Sequence, residues 1–131
     1  MKFQNNTLVV DLDDTISRKV NDYETALVNR QLVEKLQEYR ERGFQIIIHT
    51  SRNMRSYEGD ISKIQLNTLP KITEWLSKYN VPVDGIITGK PWCGENGFYI
   101  DNRAVRPSEF VNLSYSEIKE LIEYEDSNTF S

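Results

Sequence analysis

The feature that most constrains this chain is a four-residue apolar run, Thr7-Leu8-Val9-Val10, that stops at an acidic cluster, Asp11-Leu12-Asp13-Asp14-Thr15. A continuous apolar run, without the alternation of a half-solvated strand, predicts a strand buried within a parallel sheet, with Asp11 at its carboxyl end. The rest of the chain repeats that theme. After a loop over about Asp13 to Tyr23, the spacing of Ala26, Leu27, Leu32, Val33, Leu36 and Tyr39 predicts a helix to Arg42, and Gly43 supplies its stop. Phe44 to Ile48 reads as a second strand, ending in His49-Thr50-Ser51-Arg52, and a polar stretch follows to about Asn67. Leu69 to Tyr79 reads as a helix with Pro70 in its first turn, Gly85 to Thr88 as a third strand, and Phe98-Tyr99-Ile100 as a fourth that ends on Asp101. Ser116 to Glu125 closes the pattern as a helix with Ile118, Leu121 and Ile122 on one face. Alternation of strands and helices predicts an α/β fold, a three-layer sandwich in which helices cover both faces of a mainly parallel sheet.

Composition agrees with one domain over residues 1–131: 38% hydrophobic and 27% charged residues describe an ordinary globular chain. No repeat, low-complexity tract or linker divides it, and the tail from about residue 126 is expected to fray. Sixteen basic against twenty acidic residues, net −4, disfavour a long nucleic-acid footprint, which needs clustered cations. Cys93 is the single cysteine and His49 the single histidine, so neither an internal disulfide nor a Cys/His metal cluster can form. No apolar run reaches membrane-spanning length, and Met1-Lys2-Phe3 leads at once to polar Asn5-Asn6, so a reducing cytoplasm is the expected location.

In parallel α/β sheets, ligands bind outside the carboxyl ends of the strands. Asp11, Thr50, Thr88 to Lys90 and Asp101 all fall at such ends. Crowded carboxylates there call for a hard divalent cation, and Mg2+ takes one or two carboxylates plus substrate phosphate. A carboxylate beside a bound phosphate can attack phosphorus, and its neighbour can carry the leaving group's proton. Thr50 adds a hydroxyl, Lys90 a point charge and Asp101 another hard oxygen, which together are the parts phosphoryl transfer needs. Each residue singly also suits a plainer role. An acidic cluster caps loops, Thr50 suits a turn, Lys90 before Pro91 suits a solvated loop, and Asp101-Asn102 suits a turn. Their joint occurrence at successive strand ends favours a site.

The same residues carry a family resemblance. The chain resembles the haloacid dehalogenase superfamily of phosphatases, with Asp11-Leu12-Asp13-Asp14-Thr15 matching the first motif, Thr50 the second, Lys90 the third and Asp101 the fourth. More narrowly it resembles small bacterial phosphatases of capsular polysaccharide biosynthesis, through Thr50-Ser51-Arg52-Asn53-Met54-Arg55, Gly89-Lys90-Pro91-Trp92-Cys93-Gly94 and Tyr99-Ile100-Asp101-Asn102-Arg103-Ala104-Val105-Arg106-Pro107. The likeness spans about Thr7 to Ile122. It implies a Rossmann-like fold in which Asp11 is the nucleophile, Asp13 the acid and base, and Thr50 and Lys90 the holders of phosphoryl oxygens. It also implies Mg2+ on Asp11, Asp101 and the Asp13 carbonyl. Asn102 stands where a second acid is common, so its amide oxygen is expected to hold a metal-bound water and to give weaker metal binding.

The intervals after Asp13 and after Thr50 are too short for a folded cap domain, so a capless member with an open pocket is expected. A second subunit over that pocket, hence a homo-oligomer, is compatible with it. Arg52, Asn53, Arg55, Tyr57 and Trp92 follow the motifs and are the candidates for binding the organic group of a small phosphorylated substrate, for which a sugar phosphate is the expectation. Trp92 equally suits packing under its loop, and Met54 reads as structural. His49, one position before Thr50 on an alternating strand, is expected to pack on the other side, and Cys93 to be a buried thiol. The competing activity is a nucleic-acid end phosphatase with the same motifs, against which the acidic charge argues. A phosphoacceptor signalling domain would need its acceptor Asp near position 50, where this chain has Thr50, and a non-catalytic binding module would not retain all five motif residues.

Overall fold

In the computed structural model, which describes residues 2–127, three parallel strands form the sheet. They are β1 (Thr7–Val10), β4 (Gln45–His49) and β5 (Gly85–Ile87), in the order β1-β4-β5. The sheet and its helices make a small α/β fold. Its centre is β4, whose Ile46, Ile47 and Ile48 are all fully buried. Three β-branched residues in a row suit an extended chain covered on both faces, and burying each one stabilises by about 1.5–3 kcal/mol. Thr7–Val10 forms the strand its apolar run predicts, but as the sheet's edge. Among the described residues β1 pairs with β4 alone, and Val9 is 62% exposed.

The first helix begins later than the apolar spacing suggests. Leu27–Val28 is a short strand, β3, antiparallel to β2 (Ser17–Arg18), and α1 runs Arg30–Glu41. The boundary is set by Asn29, whose side chain accepts a hydrogen bond from the Leu32 N–H and donates one to the Thr15 carbonyl. Leu32, Val33, Leu36 and Tyr39 form its buried stripe. At the other end Gly43 takes φ +95°, and the Phe44 N–H reaches back to the Tyr39 carbonyl at 3.0 Å, so the chain reverses directly into β4. The Tyr39 and Phe44 rings meet edge to face, 5.2 Å apart, and secure that reversal.

Helical structure after β4 also starts earlier than expected. Asp60 caps α2 (Ile61–Lys63), a π turn follows over Ile64–Thr68, and α3 runs Leu69–Lys78. Pro70 explains the π turn: it has no N–H for the fourth residue back, and the Leu69 N–H bonds instead to the Ile64 carbonyl, five residues back. Ile72, Trp75 and Leu76 are the buried face of α3, and the Trp75 indole N–H donates to the Ala26 carbonyl at 3.2 Å.

Contacts divide the chain into two compact units, one up to Trp92 and one from Cys93 onward. In the second, the expected strand Phe98-Tyr99-Ile100 does not form. The segment has no ladder, and Phe98 and Ile100 are 76% and 89% exposed. A β-prone tripeptide becomes a strand only where another strand offers it hydrogen bonds, and none is paired to it here. Two helices complete the unit, α4 (Pro107–Asn112) and α5 (Tyr115–Asp126), the latter started by a Ser114–Glu117 capping box. The tail expected to fray lies, beyond Ser127, outside the described residues. No helix among the described residues is long and apolar enough to cross a membrane.

Asp84 fixes where β4 enters the sheet. Its carboxylate accepts from the Ile46 N–H at 2.8 Å and pairs with Arg40 of α1 at 2.6 Å, while its own N–H donates to the Ile46 carbonyl. Asp84→Ala should lower stability by about 1–2 kcal/mol, read from the urea midpoint, and Asp84→Asn, which keeps an acceptor, should cost less. Equal losses would show that the acceptor is not what matters.

Candidate active site

β1 delivers Asp11 half-buried at its end, and the chain then closes a tight loop. The Leu12 carbonyl accepts from the N–H groups of Thr15, Ile16 and Ser17 at 2.8–3.2 Å, and Asp14 turns the chain at φ +64°. Aspartate tolerates that left-handed conformation better than most residues. The turn brings Thr15 back so that its hydroxyl donates to Asp11 Oδ2 at 3.1 Å. Asp13, two residues on, bridges to Ser17, whose hydroxyl donates to Asp13 Oδ1 at 3.3 Å.

The next two strand ends converge on the same place. Thr50, fully buried, continues the β4–β5 ladder by donating its N–H to the Ile87 carbonyl at 2.9 Å. Its own carbonyl accepts from the Lys90 N–H at 3.1 Å, and this fixes Lys90 beside the end of β4. Gly89 makes the approach possible. It adopts φ +82°, and a Cβ there would stand 3.0 Å from Ile61. Lys90 Nζ then lies 3.4 Å from Asp11 Oδ1. Asp11, Thr50 and Lys90 are thus brought together, with Asp13 two residues from Asp11 on the same loop.

Arg52 is the residue whose placement the sequence does not foretell. It was expected among substrate-binding residues, yet its side chain is only 3% exposed and grips Asp13 with two bonds, Nη2 to Oδ1 at 2.7 Å and Nε to Oδ2 at 3.1 Å. Its own N–H is held by the Thr50 hydroxyl at 3.1 Å. The Tyr23 ring lies against the guanidinium, 4.0 Å from its carbon. Burial, with help from the Asp13 charge, raises the Tyr23 phenol above its ordinary pKa, although Arg52 opposes the shift. Asn53 is likewise used internally: it takes φ +63° and accepts the Thr68 hydroxyl at 2.6 Å. Arg55 and Trp92 lie at the surface, the guanidinium 5.2 Å from the indole centre, and Tyr57 is half-buried. Cys93, expected to be buried, is half-buried.

Asp101 and Asn102 belong to the second unit. Asp101 Oδ1 accepts from the Arg103 N–H at 2.8 Å, and the Asn102 amide donates to Asp126 Oδ1 at 3.1 Å. In the first unit, the Asp11 carboxylate and the Asp13 backbone carbonyl are hard oxygen donors of the kind Mg2+ selects, and that ion needs few protein ligands. Among the described residues no three His, Cys, Asp or Glu side chains cluster as metal ligands. The oxygen donors near Asp11 are of the type that Mg2+ takes.

His49 is half-buried, and its pKa is lowered first by burial, then by the Lys90 charge, with Asp11 opposing. The depressed value means that the unfolded chain binds a proton more readily than the fold does. Its contribution to stability is full above the ordinary histidine pKa and is lost as pH falls through that range. Between pH ~7.5 and ~5.5 the urea midpoint of the natural protein should therefore drop further than that of His49→Gln. Parallel curves would count against it.

No protein-family model matches the chain, and no curated protein matches it. Among solved structures it is similar to a structural-genomics target from Vibrio cholerae, at 53% identity over 92% of this chain and 98% of that one, with a TM-score of 0.90. It also matches a chain in a structure of a Pnkp1/Rnl/Hen1 complex at 18% identity, covering 82% of this chain and 34% of that one, with a TM-score of 0.47. The second likeness is too loose to bear on the site. At the level of the first, with nearly every residue of both proteins aligned, the chain belongs to the same family as the Vibrio cholerae protein.

Proposed function

We propose that this chain is a capless phosphomonoester hydrolase of the haloacid dehalogenase type, working through an aspartyl-phosphate on Asp11. The observation that carries the reading is the setting of Asp11: its carboxylate stands at a strand end with Lys90 Nζ at 3.4 Å and buried Thr50 on the adjacent strand end. A nucleophilic carboxylate, a cation and a hydroxyl at neighbouring strand ends are what an in-line attack on a phosphate dianion requires. An Asp11 oxygen bonds to phosphorus as the bond to the leaving oxygen breaks, and Asp13 supplies the proton. Water then attacks the aspartyl-phosphate, Asp13 takes up a proton from it, and Asp11 is restored. Lys90 and Thr50 hold the phosphoryl oxygens. Mg2+, when bound, would offset the charge of phosphate and carboxylate together. Its ligation by Asp101 and Asn102 rests on the family resemblance alone. A small sugar phosphate is the substrate class that resemblance favours, in the cytoplasm, with a homo-oligomer as the form that would cover an open pocket.

Uncatalysed hydrolysis of phosphate monoesters is so slow, with enzymes accelerating it by up to ~10^21-fold, that even weak turnover is informative. The natural protein should release phosphate from sugar phosphates in a Mg2+-dependent way, and Asp11→Asn or a chelator should remove at least ~10^4-fold of the rate. Full turnover by Asp11→Asn would sink the mechanism. A higher rate on a 3'-phosphorylated oligonucleotide than on any sugar phosphate would transfer the activity to nucleic-acid ends.

Asn102 gives a separate test of the metal. Its amide donates to Asp126, so a bare Asn102→Asp change would set two carboxylates against each other. Made together with Asp126→Asn, Asn102→Asp should lower the Mg2+ concentration for half-maximal activity by about tenfold, the scale of a ligand-shell change. An unchanged titration would remove Asn102 from the metal's surroundings.

A further inference from the structure

We propose that Arg52 is the positioning residue for the proton-carrying carboxylate, that Tyr23 holds Arg52 in place, and that Asp13 Oδ2 is the oxygen that carries the proton. The inference rests on the reading of Asp13 as acid and base, and it withdraws Arg52 from substrate binding.

The geometry assigns the role. Arg52 and Asp13 are 39 residues apart, yet the guanidinium meets the carboxylate side-on with two bonds, the planar arrangement that fixes both the plane and the rotation of a carboxyl group. A guanidinium used to bind substrate should face solvent and lie free to reach a phosphate. This one is 3% exposed, while the carboxylate it holds is 30% exposed. Three contacts fix the cation. They are the Tyr23 ring at 4.0 Å, the Asp13 fork, and the Thr50 hydroxyl that anchors its backbone N–H. The open side of the pair therefore belongs to Asp13.

The two carboxylate oxygens are not equivalent. Oδ1 accepts the shorter Arg52 bond, 2.7 Å, and the Ser17 hydroxyl at 3.3 Å as well. Oδ2 accepts only the longer bond from Nε, 3.1 Å, among those described. A carboxyl that gains a proton must give up an acceptor position on the oxygen that takes it. Oδ2 gives up less, and Oδ1 with its two bonds keeps the group aimed. In the first half-reaction an Asp11 oxygen bonds to phosphorus, the bond to the leaving oxygen breaks, and the Oδ2 proton passes to that oxygen. In the second, water bonds to phosphorus, the bond to Asp11 breaks, and a water proton returns to Oδ2. Arg52 exchanges no proton in either step, and its guanidinium stays charged throughout.

Leaving groups separate this role from others. Phenyl phosphate needs a proton on departure, whereas 2,4-dinitrophenyl phosphate leaves as a stable anion and needs none. The quantity to compare is kcat/KM, which reports the steps up to loss of the leaving group. Arg52→Lys keeps the charge but not the fork, so kcat/KM for phenyl phosphate should fall about 10^2-fold, the scale of a general acid, while that for the dinitrophenyl ester stays within about threefold. Because the same carboxylate also serves the second step, the variant should show a burst of dinitrophenolate equal to the enzyme present, followed by slow turnover. Tyr23→Leu should give the same selectivity to a smaller degree, and it stands in should Arg52→Lys fold poorly by circular dichroism. In the metal-free protein, the Arg52 Nε–H should give a slowly exchanging nuclear magnetic resonance signal that joins the bulk arginine signals in Asp13→Ala.

Equal falls in kcat/KM for both esters, or a rise in KM alone, would overturn the role and return Arg52 to phosphate binding. An Arg52 signal unmoved in Asp13→Ala would overturn it as well. Failure of the natural protein to release phosphate from either ester would instead overturn the reaction itself, and the Asp11→Asn control tells the two failures apart.

Discussion

Everything at this site depends on the register of three parallel strands. Val10 lies level with Ile48, and His49 level with Ile87, so Asp11 and Thr50 emerge at adjacent strand ends. The ladder does not stop where the strands do: the Thr50 N–H donates to Ile87 and the Lys90 N–H to Thr50, and the last of these bonds places the lysine. Side chains alternate along a strand, so a slip of one residue would turn each from one face to the other. The three buried isoleucines of β4 and the Asp84 bonds to Ile46 hold that register. Packing energy spent at the centre of the sheet is thereby converted into position at its rim.

Position then decides charge. Two carboxylates of the loop after β1 each have a cation from a distant part of the chain, Lys90 for Asp11 and Arg52 for Asp13. The two cations differ in kind. A lysine is a compact charge on a flexible stem, and at 3.4 Å it is close enough to orient Asp11. The arginine fork is rigid, buried and stacked, and so it holds the Asp13 carboxylate in one orientation. Both carboxylates are thus locally offset within a chain of net charge −4.

The parts of this arrangement that were legible in the sequence are those written as continuous runs. Thr7–Val10, the isoleucines before Thr50 and the short stretch at Gly85 specify strands by composition alone, and Asp11, Thr50 and Lys90 follow from where those runs end. The parts that were not legible depend on distant partners. Leu27 and Val28 fit a helical period, yet they pair with Ser17 and Arg18, and only the Asn29 cap marks the true start of α1. Asp60 and Pro70 together announce the helix and the π turn, a signal hidden by the polar residues between them. Phe98-Tyr99-Ile100 has the composition of a strand and is not one, because composition supplies no partner. Arg52 reads in sequence as a substrate-binding residue after a motif, and its burial arises from Tyr23 and Asp13, neither of them near it in sequence.

On the proposed reading, the internal use of Arg52 and Asn53 narrows where substrate discrimination would come from. Each already satisfies a polar group of the fold, Asp13 in one case and the Thr68 hydroxyl in the other. Spending either on a ligand would leave a poorly solvated group without its bond, at a cost of about 1–3 kcal/mol. Arg55 and the 42% exposed Trp92 stack at the surface, and a guanidinium on an indole offers one apolar face and several donors in the same patch. An apolar face beside donors suits a sugar ring, and a nucleobase stacks on such a face as well. On the proposed reading, that patch is the part of the surface that would meet the organic group of the substrate, and a panel of phosphorylated sugars and nucleotides decides which group that is.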